Sequence, residues 1–349
     1  MNARHEIGLA LCCLIVFRGI GVAQTATERS IPARVIPTPT TVSPELRKVI
    51  APAWQGNANA PKLTNEQWKA LAKQADDAEL KTLDAMKSQF HVTVTEQKVG
   101  GVRVYDVKPE KIADENRRRL LVHVHGGAYV FSGGEAATPE AILMAHFGNI
   151  EVLSVDYRMP PDFPFPAALD DSVAVWKEVV KSHRPKNVGL FGTSAGGGLT
   201  LATVIKLKEL GIALPGALMA GTPWSDLTKT GDTYFTNEFV DNVLGTNDGL
   251  LDAAARLYAG SHDLKEPLLS PVYGELSRFP PTILISGTRD LFLSNTVRVH
   301  QKLLQSGVRA ELLVFEGESH AQYEFATTAP ECAAAFQEVG QFFDRNLGK

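Results

Sequence analysis

Cysteine is almost missing from this chain. Three occur in 349 residues, and two of them, Cys12 and Cys13, lie inside the first apolar run. Once that run is removed, only Cys332 remains, and a lone thiol forms no internal disulfide. An excess of charge of one sign is missing too. Lys and Arg total 35 against 39 Asp and Glu, a net charge of −4, so there is no basic footprint for nucleic acid. No apolar run reaches the ~18 residues of a membrane-spanning helix. Internal repeats and low-complexity tracts are absent as well. What is present is an ordinary globular composition, 44% hydrophobic. That suffices for a sizeable core in one large domain or two small ones.

The N-terminus reads as a targeting segment. Arg4 precedes the apolar run Leu9 to Phe17, and the small residues Gly21 and Ala23 flank Val22. This is the layout of a secretory signal, residues 1–23, cleaved after Ala23, which predicts a secreted or periplasmic protein. Residues 24–90 follow as a Pro- and Thr-rich lead-in with helices. One short helix is expected near Pro44 to Ile50. A long one starts at Thr64, where Thr64 and Gln67 form a capping box.

From His91 the pattern changes. Two alternating runs around Gly100-Gly101 suit an antiparallel start to a sheet. Short, continuously apolar runs come next: Leu120–Val124, Glu151–Val155, Val188–Phe191, Ala217–Ala220, Thr282–Ile285 and Leu312–Phe315. Strands buried on both faces read this way. Helical stretches separate most of them, so the expected fold is α/β with about eight mostly parallel strands flanked by helices. The catalytic domain is expected over residues 91–349. Residues 222–267 break the alternation and read as a lid segment.

The chemistry concentrates in three places. The run "VGLFGTSAGGGLT" is a strand, then Gly192-Thr193-Ser194-Ala195-Gly196, then a helix. That strand–turn–helix context makes G-x-S-x-G a nucleophile turn and Ser194 the candidate nucleophile. A serine hydroxyl needs a base. Asp290 follows the seventh strand and His320 the eighth, in the order Ser, acid, His that this arrangement requires. Glu318 is a rival acid. The third place is "LVHVHGGAYVFSGG", Leu121 to Gly134. An oxyanion formed on attack by Ser194 needs backbone N–H donors. Ala195 offers one, and Gly126 and Gly127 let the preceding loop offer another without a Cβ in the way. His123 and His125 share a strand face, but no further ligand completes a metal site. His125 is expected to brace the loop.

Other polar groups read as structural. Asp156 and Arg158 are expected to pair with each other. Asp170 and Asp171 are expected to brace the loop around Pro164–Pro166, and Arg117-Arg118-Arg119 to be a solvated charge run. Trp54, Trp224, Tyr129 and Phe131 fit either an acyl pocket or the core.

Together "HGGA", "GTSAGGG", "DYR" with "FPFPAALDD", and the Asp290 and His320 pair resemble the hormone-sensitive-lipase family of bacterial esterases (family IV), over roughly Leu120 to Tyr323. The resemblance implies an α/β-hydrolase core and a helical cap made from the N-terminus and residues 222–267. It also implies hydrolysis of carboxylic esters, small or medium in acyl length, without a cofactor or metal. The oxyanion glycines of the family fall on Gly126 and Gly127. Ala128 stands where the family has a third glycine, which leaves Gly126 and Ala128 both open as the partner of Gly127. Thr193 and Pro160-Pro161-Asp162 also depart from the common pattern. Lactones, amides and polyesters remain alternative substrates for the same triad, and a non-catalytic binder is the rival of another class. The expected partner is a small-molecule ester. Nothing in the sequence sets the oligomeric state, and a homodimer stays open.

Overall fold

The structure, a computed structural model, describes residues 30–59 and 62–348. The expected signal segment, with Cys12 and Cys13, lies outside the described residues. Residues 30–37 form a separate unit without helix or strand. From residue 38 onward, α1 (Pro44–Ile50) and α2 (Asn65–Gln89) come first. The capping box at α2 is formed: Thr64 accepts from Gln67 N, and Thr64 N donates to the Gln67 side chain at 2.8 Å.

An eight-stranded sheet follows. Its strands are β1 (Val92–Val99), β2 (Val102–Pro109), β3 (Leu120–Val124), β4 (Val152–Val155), β5 (Val188–Thr193), β6 (Ala217–Gly221), β7 (Thr282–Gly287) and β8 (Ala310–Phe315). Their spatial order is β1-β2-β4-β3-β5-β6-β7-β8. β1 and β2 form the expected hairpin across Gly100-Gly101, where φ is +61° and +85°. A turn with positive φ at both centres matches the strand twist, and glycine adopts it freely. β2 pairs antiparallel with β4, and every later pairing is parallel.

Side chains alternate across the parallel strands, so the two faces carry different cores. Leu121, Phe191, Met219 and Ile283 meet α3 (Pro139–Gly148) and α10 (Pro330–Asn346) on one side. Val122, Leu190, Leu218 and Leu284 meet α4 (Ala167–Ser182), α5 (Ala195–Glu209) and α8 (Leu293–Gln305) on the other. Cys332 is buried in the first core, and burial pushes its thiol up to about 12, so it stays an unreactive packing residue. Residues 222–267 carry two helices, α6 (Thr233–Thr236) and α7 (Leu250–Ala259). The short α9 (Gln322–Phe325) follows β8.

Three expectations are corrected. Asp156 and Arg158 do not pair. Asp156 binds Arg103 at 2.5 Å, and Arg158 binds Asp171 at 2.8 Å. Both lie beyond the end of β4, where strand alternation no longer sets their directions, so nearness in sequence does not make them partners. Asp171 therefore holds the chain after β4, also accepting Arg158 N at 2.8 Å, while Asp170 is exposed. The arginine run is not uniformly solvated. The Arg119 side chain is buried, donating to Asp344 Oδ1 at 2.9 Å, Asn116 Oδ1 at 3.0 Å and Gly348 O at 3.0 Å. It ties the chain's end to the start of β3.

Arg119→Ala should therefore destabilise the fold by about 2–3 kcal/mol, the worth of charge-assisted hydrogen bonds left unmade. Arg117→Ala, in the same run but exposed, should shift stability by no more than about 0.5 kcal/mol. Urea midpoints of the two variants check this, and equal midpoints would refute the distinction.

Candidate active site

β5 delivers Ser194 onto a turn of unusual backbone, φ 62° and ψ −121°. A non-glycine residue holds such angles only where its surroundings enforce them. Here Ser194 N donates to Gly221 O at 2.8 Å, and Ser194 O accepts from Trp224 N at 2.8 Å and Gly198 N at 3.0 Å. The flanking glycines are steric necessities. A Cβ on Gly192 would stand 2.1 Å from Val124 O, and one on Gly196 2.0 Å from the same atom.

The three residues singled out after β5, β7 and β8 meet. His320 Nε2 lies 2.9 Å from Ser194 Oγ, and His320 Nδ1 lies 3.1 Å from Asp290 Oδ1. Asp290 is fully buried. Its Oδ1 also accepts from Phe292 N at 2.7 Å. Its Oδ2 accepts from Ser286 Oγ at 2.7 Å and from Thr222 Oγ1. Burial pushes this carboxyl up, but His320 and the hydrogen bonds from His320, Ser286 and Thr222 outweigh it and hold it below the usual range. An ionised acid here keeps the proton on Nδ1 and leaves Nε2 to accept from the serine. Glu318 is a poor alternative: burial, with Glu331 and Asp290 nearby, pushes its carboxyl up to about 8, so it is mostly uncharged at neutral pH.

The loop after β3 lies against the same turn. Gly127 has φ +92°, and a Cβ there would meet Phe131 O at 2.5 Å; one on Gly126 would meet Thr193 O at 3.0 Å. Gly126, Gly127 and Ala128 line one cavity with Ser194 and His320. Ala195 opens α5, where amides have no partner within the helix. His125 braces this loop, as expected. Its Nδ1 donates to Gly126 O at 2.8 Å, and its ring stacks on Tyr157 at 3.9 Å. Burial pushes His125 down to about 4, so it is neutral.

Several contributors carried no sequence signal. The second glycine pair is anchored by two acids: Ser132 N and Gly133 N donate to Asp76 Oδ1 at 2.9 and 3.2 Å, and Gly134 N to Asp156 Oδ1 at 2.9 Å. Under the turn, Glu140 accepts from Thr193 Oγ1 at 2.7 Å and pairs with His123 Nε2 at 2.9 Å. His123 Nδ1 lies 2.9 Å from Ser154 Oγ, so this histidine has a structural position. Thr222, which touches both Asp290 and His320, holds a positive φ of 29° and was not foreseen.

Comparison with known proteins decides the kinship. A family model described as the alpha/beta hydrolase fold matches residues 121–324. An acetyl-hydrolase of Streptomyces hygroscopicus is 29% identical over 66% of this chain and 77% of its own. A crystal structure of an esterase superposes with a TM-score of 0.89 at 44% identity, covering 92% of this chain and 99% of that one. An esterase from the bacterial hormone-sensitive lipase family superposes with a TM-score of 0.75 at 27% identity, covering 88% and 99%. The chain belongs to the hormone-sensitive-lipase family of α/β-hydrolases. It is a carboxylic ester hydrolase, as the esterase relatives and structures support.

In this family member the cavity above Ser194 measures about 310 Å³. Trp54 and Phe131, left undecided from sequence, line it together with Leu244, Leu250, Leu251 and Ala254. Trp224 and Tyr129 are fully buried core residues instead. No helix of the described residues is long and apolar enough to cross a membrane.

Glu318 gives a test of these electrostatics. Its carboxyl is pushed up to about 8 in the fold, from an ordinary value of 4.5. The stability it supplies is thus present at low pH and lost as pH rises through about 8. Glu318→Gln should flatten that loss, gaining on the parent between low and high pH by on the order of a few kcal/mol. Urea titrations on either side of this window measure the gain, and a pH-independent difference would count against it.

Proposed function

We propose that the chain is a serine carboxylesterase for small to medium acyl esters, working through an acyl-enzyme. Ser194 attacks the ester carbonyl while His320 takes its proton at Nε2. Asp290 holds the Nδ1–H tautomer and stabilises the imidazolium. The tetrahedral oxyanion receives the amides of Ala195 and of the loop Gly126 to Ala128, each such donor being worth roughly 3–4 kcal/mol in the transition state. His320 then returns its proton to the leaving alcohol. Water, activated by the same histidine, releases the acid.

The observation that carries this reading is the unbroken chain of contacts from Ser194 Oγ through His320 to Asp290, at 2.9 and 3.1 Å. The cavity volume of about 310 Å³ and its apolar lining support a limited acyl length. Lactones, amides and polyesters would meet the same triad, and only a substrate panel separates them.

Export is part of the proposal, supported by Arg4, the Leu9–Phe17 run and the small residues before Gln24. A protein recovered from the producing cell with Gln24 at its N-terminus supports it. An uncleaved N-terminus speaks against it.

Ser194→Ala should lower kcat on p-nitrophenyl butyrate by roughly four to six orders of magnitude and abolish labelling by an organophosphate. Retained labelling would remove Ser194 from its assigned role. Across p-nitrophenyl esters, kcat/KM should peak at short or medium acyl length and fall for long chains. An equal rate from acetate to palmitate would refute the limited pocket.

A further inference from the structure

The segment between β6 and β7 sends one carboxylate into the site's foundations. Asp241 is fully buried, and its hydrogen-bond partners are four backbone N–H groups. Oδ1 accepts from Val243 N at 2.9 Å and Leu244 N at 3.0 Å. Both of these residues line the substrate cavity. Oδ2 accepts from Leu291 N at 2.7 Å and from His320 N at 3.3 Å. Leu291 directly follows the acid Asp290, and His320 is the base itself.

We propose that Asp241 is a positioning residue that fixes the acid loop and the base loop to each other and to the cavity wall. This rests on the triad reading above. A single oxygen, Oδ2, sets the spacing of the two loops, while the other sets the turn that shapes the wall. Its neighbours extend the same grip. Asn237 Nδ2 donates to Asp290 O at 2.9 Å. Asn242 N donates to Ser319 Oγ at 3.1 Å, and Asn242 Oδ1 accepts from Gln322 Nε2 at 2.8 Å. Asn242 Nδ2 donates to Val49 O and Pro52 O, both at 2.9 Å, which brings in the end of α1.

Asp290 and His320 both act electrostatically on the Asp241 carboxyl. Burial and Asp290 push this carboxyl up to about 6, so it is charged at the neutral and alkaline pH where an esterase base must be free.

Asp241→Asn keeps the volume but replaces one acceptor oxygen by an NH2, so one pair of N–H groups is left facing a donor. With p-nitrophenyl butyrate, kcat should fall roughly ten- to a hundredfold, the scale of a misplacement of about 1 Å. KM should change by less than about threefold, because the lost interaction acts on the transition state. Asp241→Ser, measured well below its unfolding temperature, should show the same split. Rates are expressed per active site titrated with an organophosphate. Unchanged kcat would overturn the proposal. So would a loss that vanishes per titrated site, or failure of both variants to fold, since each makes Asp241 a folding residue only. An active Ser194→Ala enzyme would instead overturn the triad reading on which the proposal stands.

Discussion

Val124 O stands 2.0 Å from where a Cβ of Gly196 would be and 2.1 Å from that of Gly192. The rest of the site depends on this approach. It brings the end of β3 against the serine turn, which is possible because β3 and β5 are parallel neighbours although β4 separates them in sequence. The loop that leaves β3 must then pass over Ser194. A side chain at either glycine would push that loop away from the serine, and the free amides of the loop would no longer converge with that of Ala195. The glycines are therefore conditions of catalysis, although neither carries a reacting group.

Electrostatics follow from the same compactness. Asp290, Asp241, Glu140 and Glu318 are all buried near the site, yet their surroundings give them different tasks. Asp290 faces His320 and accepts from Ser286, Thr222 and Phe292. Those interactions outweigh burial and keep it charged. Asp241 accepts four backbone N–H groups, which elsewhere would hold a carboxylate very low. Burial and the charge on Asp290 dominate instead and hold it higher. Glu318, with no comparable set of donors, is pushed highest of the three that shift upward or downward here. Distance to the histidine alone does not choose the acid; the number and direction of donors do.

The sequence was most legible where a function needs a fixed residue at a fixed place on a regular element. Continuous apolar runs marked the inner strands, and the turn residues Gly192, Ser194 and Gly196 marked the nucleophile. Asp290 and His320 stood out because each ends a strand in the required order. Less legible were groups whose task is to bind partners across long separations. Thr222, Asp241, Glu140 and Asp76 sit in loops or on helices whose patterning is the same with or without them. Their partners lie 68, 79, 53 and 56 residues away, and no local periodicity encodes that. Asp156 and Arg158 failed for the opposite reason: they are near in sequence but bind Arg103 and Asp171 across the fold.

This division has a physical cause that bears on how the site is built. A triad spread over the ends of β5, β7 and β8 receives its direction from the sheet, because parallel strands present their carboxyl ends together. The sheet fixes where each loop starts, but not where its tip lies. Loop tips carry few apolar contacts, so hydrogen bonds from buried side chains must set them. Ser286 and Thr222 do this for Asp290, Asp241 for the two loops jointly, and Asp76 with Asp156 for the glycine-rich loop. Asp76 lies on α2, and two of the partners of Asn242, Val49 and Pro52, lie in α1 and just after it. The chain that precedes the sheet is thus joined to the loops that surround Ser194 by specific hydrogen bonds, as well as by forming part of the cavity wall through Trp54.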